Sequence, residues 1–194
     1  MLEEIKSWKN NFIKLSSGLE SNILHKKDDI FLKKYYSDND NIHIYQVYGT
    51  LSEDPSYYLD YLWNPEKIKE INKNIIDKVD VTNEKDNSKE LYSLFKFKTR
   101  NISIEGSEKK EILFLEKKNN GYEIFGKILE NNNKSSKYIN INEGYSFLEI
   151  KKINNKIEIN SFTQFNLEIP TLLELIPGIL ILKTITNLKN IVNL

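Results

Sequence analysis

The segment from Ile169 to Leu194 limits what this chain can become more than any other. Leu172, Leu173, Leu175, Ile176, Ile179, Leu180, Ile181 and Leu182 make its first half apolar nearly all round. Beyond Lys183 it turns amphipathic through Ile185, Leu188, Ile191 and Val192. The apolar run from Ile169 to Leu182 has 14 residues, contains Glu174 and is broken at Pro177-Gly178. A membrane span needs about 20 apolar residues, so this is a helix that another part of the chain must cover. Pro170 suits its first turn, and Pro177, which lacks a backbone donor, predicts a kink or a short break.

The covering element reads as an antiparallel sheet. Leu2, Ile5, Trp8, Phe12, Leu15 and Leu19 recur in steps of three and four, which predicts a helix within residues 1–24, broken near Ser16-Ser17-Gly18. Asp29–Tyr36 and Asn41–Gly49, rich in Ile, Phe and Tyr, flank the polar turn Ser37–Asp40 and predict a hairpin. Ser52 or Asp54 caps a helix starting at Pro55, and Asn64-Pro65 ends it and begins a shorter one to about Ile71. Strands follow near Ile75–Val81, Glu90–Lys98, Glu111–Lys117, Tyr122–Glu130, Tyr145–Ile153 and Lys156–Leu167, with Asn154-Asn155 as a two-residue turn. Short polar turns between consecutive strands imply an antiparallel meander. The expectation is one α+β domain over 1–194: an N-terminal helix in 1–24, a sheet with two short helices in 29–167, and a last helix in 169–194.

Composition excludes several function classes. The 28 basic residues balance the 28 acidic ones, so no basic field exists to bind phosphate, and nucleic acid is not expected as a partner. Without Cys there is no disulfide framework, thiolate metal site or thiol nucleophile. The two histidines, His25 and His43, show no metal-ligand spacing, and no phosphate loop, dinucleotide loop or nucleophile elbow occurs. No cofactor, metal or catalytic residue is expected. The start, Met1-Leu2-Glu3-Glu4, lacks the apolar stretch of a secretory signal, and a cytoplasmic protein, monomeric, is the expectation.

The order of elements resembles that of the START (steroidogenic acute regulatory protein-related lipid transfer) domain, within the Bet v 1-like helix-grip superfamily. Asp29–Tyr36 looks like the family's first strand and Tyr45–Leu51 its second. Asp54–Pro65 is similar to the helix leading to a Trp-containing turn, here Trp63-Asn64, and Ile75–Asp80 to the strand after it. Leu91–Phe97 looks like the strand before the family's Arg-Asp pair, which Arg100, the only Arg in the chain, approaches; Asn101 stands where Asp is common. Ile169–Leu173, with Asn187-Leu188, echoes the start of the last helix. The resemblance implies a helix-grip fold, in which a curved antiparallel sheet wraps around the long C-terminal helix, two short helices lying between strands 2 and 3. It also implies a cavity for a lipid or other hydrophobic small molecule, and no catalytic residues.

Alternation within strands nominates the lining of such a cavity. On the last strand Ser161, Thr163 and Phe165 share a face with Ile157 and Ile159; Phe95 and Phe97 face the same way, as do Tyr145 and Phe147. Arg100 joins them by resemblance, and Leu173, Ile176, Leu180, Thr184 and Leu188 fall at helical spacing opposite. Non-enzymatic binding and transfer of a lipid is the leading expectation, with a transient peripheral membrane contact if the last helix opens at Pro177. An enzyme of the polyketide cyclase type, using Glu149 or a cavity Tyr, and an interaction domain with a filled core are the alternatives.

Overall fold

A computed structural model describes residues 1–27, 29–37, 42–96, 105–131, 138–166 and 176–190. Its elements run α1 (Leu2–Ser16), β1 (Ser21–Lys27), β2 (Ile30–Tyr35), β3 (Ile42–Leu51), α2 (Pro55–Trp63), α3 (Pro65–Ile71), β4 (Ile76–Lys85), β5 (Ser88–Lys96), β6 (Gly106–Lys118), β7 (Gly121–Leu129), β8 (Tyr138–Ile141), β9 (Gly144–Ile153), β10 (Lys156–Asn166) and α4 (Ile176–Asn190). One curved sheet carries the strands in the order β1-β2-β3-β10-β9-β7-β6-β5-β4, and β8 pairs in parallel with β6 off that path. The remaining neighbours are antiparallel, so the chain is α+β with the helix-grip arrangement.

Local chemistry explains the joints. Asn154 and Asn155 adopt φ of 48° and 64° between paired Ile153 and Lys156, the left-handed pair that a two-residue hairpin requires and that Asn tolerates. The Asp54 carboxylate accepts from the Ser56 N–H with Pro55 at the first helical position. Asn64 caps α3 in the same way, accepting from the Glu66 and Lys67 N–H groups before Pro65.

The structure corrects several expectations. The first helix ends at Ser16, and residues 21–27, read as its continuation or as a connection, form the edge strand β1. The strand at Ile30–Tyr35 is therefore second in the sheet. The polar stretch Asn83–Lys89, which lies between the strands expected to end at Val81 and to begin at Glu90, extends both strands instead, since Lys85 pairs with Ser88 across a tight turn. The last helix is described from Ile176 to Asn190, and the segment directly before it, where the kink or break expected at Pro177 would show, lies outside the described residues. The helix start expected at Pro170 lies outside the described residues.

Both faces of the sheet are covered. On one, α1 lays Ile5 and Phe12 on Tyr35, Ile44, Phe125, Phe147 and Phe162. On the other, α2, α3 and α4 pack against Ile30, Leu32, Tyr45, Val47, Ile150, Ile159 and Phe165, with fully buried Tyr58 and Leu188 among them. The Tyr58 hydroxyl accepts from the N–H groups of Ser52 and Glu53, so its polar end is satisfied in the core.

The α1 face also holds a row of like charges. Glu149, Glu123 and Glu116 are direct cross-strand neighbours on β9, β7 and β6. Such a row is repulsive by itself. Cations neutralise it: Lys9 and Lys118 reach Glu123 at 2.7 and 2.9 Å, Lys6 and Lys118 reach Glu116 at 2.5 and 2.8 Å, and Lys151 reaches Glu149 at 2.7 Å. Glu149, named above only as an acid or base for the enzyme alternative, thus points to the α1 side in a salt bridge. Lys118 and then Lys6 hold the Glu116 carboxyl below the usual carboxylate range. Burial pushes Glu123 up, but Lys9 and Lys118 together overcome it and leave that carboxyl lowered too. A carboxyl with a depressed folded pKa contributes stability that is present above its unfolded value, about 4.3, and is lost as pH falls through the folded one. Acidification from about pH 5 downwards should therefore loosen α1 before the core melts. Trp8 emission in a Trp63→Phe background reads this, because Trp8 stacks on Tyr145 at 5.4 Å and donates to Gln164 at 2.8 Å. Unchanged emission down to global unfolding would mean that apolar contacts alone hold α1.

Candidate functional site

Between the sheet and α4 lies a cavity of about 270 Å³. Each element contributes the side chains that its alternation or helical period turns inward. From β10 come Ser161, Thr163 and Phe165; from β9, Ser146 and Leu148; from β7, Ile124 and Ile128. Strand β6 supplies Ser107, Lys109, Glu111 and Leu113, and β5 supplies Leu91, Ser93 and Phe95. Ile76 and Val79 of β4, Ile139 and Ile141 of β8, and Leu62 and Ile68 of α2 and α3 close the sides. Leu180, Ile181, Thr184 and Ile185 of α4 form the opposite wall.

The lining is mostly hydrocarbon with two polar patches. One is ionic: Lys109 and Glu111 pair at 2.8 Å, with side chains 21% and 9% exposed. Ser93 lies in register beside Lys109, and Lys109 Nζ sits 5.5 Å from the Phe95 ring. The other patch is hydroxylic, with Ser146 in register with Thr163 and Ser161 on the same strand. Along the sheet the patches are two to three strand spacings apart, roughly 10–14 Å. Thr184 donates instead to the Leu180 carbonyl of its own helix at 3.0 Å.

Of the side chains nominated from sequence, Phe95, Ser161, Thr163, Phe165, Leu180 and Thr184 come together around this space. Phe147 borders it, but its ring packs into the α1 cluster, 5.3 Å from Phe125 and with Lys9 Nζ 3.7 Å above it. Tyr145 does not reach the cavity. It faces α1, stacked on Trp8 and donating to Glu4 at 2.8 Å; burial and that carboxylate push its phenol up to about 12. Leu188 is fully buried in the core and does not border the cavity. Phe97, Arg100, Leu173 and the side chain of Ile176 lie outside the described residues. Sequence reasoning missed Lys109 and Glu111 altogether. The signal was the Ser107, Lys109, Glu111 alternation on β6.

Chemically the arrangement can hold an elongated apolar body and hydrogen-bond one polar group at its ionic end. Among the described residues no three His, Cys, Asp or Glu side chains cluster to hold a metal ion. His43 is buried on β3, its ring 5.6 Å from Phe165, while His25 is exposed on β1. No helix among the described residues is long and apolar enough to cross a membrane.

Comparison with known proteins leaves the fold as the shared feature. No protein-family profile and no curated protein matches the sequence. The structure is similar to human StAR-related lipid transfer protein 5, with a TM-score of 0.77 at 9% identity, covering 97% of this chain and 92% of that one. It is similar to the STAR-related lipid transfer protein fragment from Xanthomonas axonopodis, with a TM-score of 0.71 at 8% identity over 90% and 99%. The human StarD13 lipid transfer and protein localization domain gives 0.69 at 9% identity over 96% and 94%. At such identities the likeness establishes the START fold and leaves function to the residues of this chain.

Proposed function

We propose that this chain binds, in the cavity beneath α4, a slender neutral amphiphile, one hydrocarbon chain ending in a hydroxyl or amide, and carries it unchanged. The observation that supports this most is the Lys109–Glu111 pair set in an otherwise apolar lining. A hydroxyl inserted there accepts from the ammonium and donates to the carboxylate, so neither charge is left uncompensated. An anionic head would satisfy Lys109 but crowd Glu111, and a cationic head would do the reverse, each stranding a charge in a poorly solvated place. Each methylene transferred from water to the apolar walls contributes about 0.8 kcal/mol. The volume of about 270 Å³ lies just below the roughly 300–1,000 Å³ of drug-sized sites. A single chain fits it as it stands, whereas a sterol or two-chain phospholipid requires the walls to part. Phe95, Ser161, Thr163, Phe165, Leu180 and Thr184 would touch the ligand. The START-fold proteins named for lipid transfer support the class, and in this reading the chain works as a cytoplasmic monomer that meets membranes transiently.

The same ion pair favours a second reading, an isomerase or cyclase in which Glu111 moves a proton. The open volume counts against a third, a filled-core interaction module. Native mass spectrometry after incubation with hexadecanol, monopalmitoylglycerol, palmitic acid, cholesterol and phosphatidylcholine separates them. The binding reading expects 1:1 retention of the two neutral single-chain lipids, weaker retention of the acid and none of the phospholipid. A change in mass of the bound molecule would select the enzyme, and retention of no lipid would exclude binding.

A further inference from the structure

Helix α4 has a second stripe, turned away from the ligand cavity. Ile179, Leu182, Lys183, Thr186, Asn187 and Asn190 fall on it at helical spacing and border a separate groove of about 530 Å³. Leu24, His25 and Leu32 border the groove from the β1–β2 edge of the sheet, and Asn74 and Ile75 from the turn into β4. That volume lies within the roughly 300–1,000 Å³ of small-molecule sites.

The chemistry of the groove is one-sided. No Asp or Glu borders it among the described residues, although acids and bases balance over the whole chain. Lys183 forms no ion pair among the described residues. Thr186 is only 8% exposed, yet its hydroxyl has no hydrogen-bond partner among the described residues. Thr184, on the cavity side, instead donates to its own helix. A buried hydroxyl without a partner costs stability, so packing alone does not account for Thr186. Lys183 and Thr186 are three residues apart, which puts their Cβ atoms roughly 5–6 Å from each other. Both can therefore donate to one carboxylate, while Leu24, Leu32, Ile179 and Leu182 offer apolar surface beside them. The stripe is held in place by Asn187, whose amide donates to Asn72 Oδ1 at 2.9 Å and to the Ile71 carbonyl at 3.2 Å.

We propose that this groove is a second ligand site, which takes a single-chain aliphatic carboxylate with its head on Lys183 and Thr186. The site is independent of the cavity beneath α4, whose ion pair disfavours an anionic head.

Amide chemical-shift titration of the wild type and of Ser161→Phe, which places a ring in the cavity, tests this with sodium octanoate, 1-octanol and octylammonium chloride. Octanoate should shift the amides of Leu24, His25, Asn74 and Lys183 equally in both proteins, and octylammonium should not. Binding that survives Ser161→Phe stands whether or not the cavity holds a lipid. Thr186→Val should weaken octanoate by about tenfold, the effect of one hydrogen bond to a charged group. Lys183→Met should weaken it by about threefold, since that ammonium is exposed. Lys183→Glu, at the same exposed position, should abolish binding and decides the matter if Thr186→Val does not fold. Absence of octanoate shifts at Leu24, His25 and Asn74, equal binding of octylammonium, or undiminished binding by Lys183→Glu would overturn the proposal.

Discussion

Replacing Lys109 with Met should lower the stability of this protein by about 1–3 kcal/mol, although no charge is lost from its surface network. Removing one partner of a buried pair leaves the other ionised in a poorly solvated place, at a cost of about 3–5 kcal/mol when burial is complete. Here the Lys109 side chain keeps 21% of its exposure and Glu111 keeps 9%, so water relieves part of that cost. In a domain of this length each kcal/mol moves Tm by about 2–4 °C. The double variant Lys109→Met/Glu111→Leu should recover most of the loss, since apolar residues of similar volume often replace such pairs without penalty. Denaturant unfolding of the wild type, the two single variants and the double variant forms a cycle whose coupling term isolates the pair. Function should not recover with stability. The double variant leaves an end wall without charge, in which only the Ser93 and Ser107 hydroxyls remain polar, and its preference for hexadecanol over hexadecane should be weaker than that of the wild type.

Much of this fold was legible in the sequence because local chemistry agrees with it. Asp54-Pro55 and Asn64-Pro65 mark α2 and α3 with their own caps, and Asn154-Asn155 marks the last hairpin. On β10 the alternation of Ile157, Ile159, Ser161, Thr163 and Phe165 against Glu158, Asn160, Gln164 and Asn166 identified the inward face, with Phe162 the one apolar side chain on the α1 side. Strand β9 misled for a physical reason. It carries Tyr145 and Phe147 on one face and Leu148 and Ile150 on the other, and both faces are covered, so period two is present but carries no sign. Strand β6 has the same ambiguity, with Phe114 turned towards the α1 cluster and Leu113 towards the cavity, which hid Lys109 and Glu111. Two short strands lay beyond local reading. Edge strand β1 has one partner and a register shift between Ile23 and His25, and β8 is four residues long and pairs in parallel with β6. Neither pairing leaves a local pattern.

If ligand sits between the sheet and α4, filling that space must abolish binding. Ser161 is buried, borders the cavity and lies on a central strand, so Ser161→Phe sends a phenyl ring into existing volume. Forcing a larger side chain into a packed core costs about 1–3 kcal/mol, and the void should keep this variant at or below the low end. Glu158→Phe, on the outer face of the same strand, adds the same ring outside the cavity and serves as the control. Retention of hexadecanol by the three proteins, measured by native mass spectrometry at matched folded concentration, is the deciding quantity. A ligand held beneath α4 requires at least a tenfold loss for Ser161→Phe and none for Glu158→Phe. Equal retention by Ser161→Phe and the wild type would contradict that placement and move the ligand elsewhere on the protein.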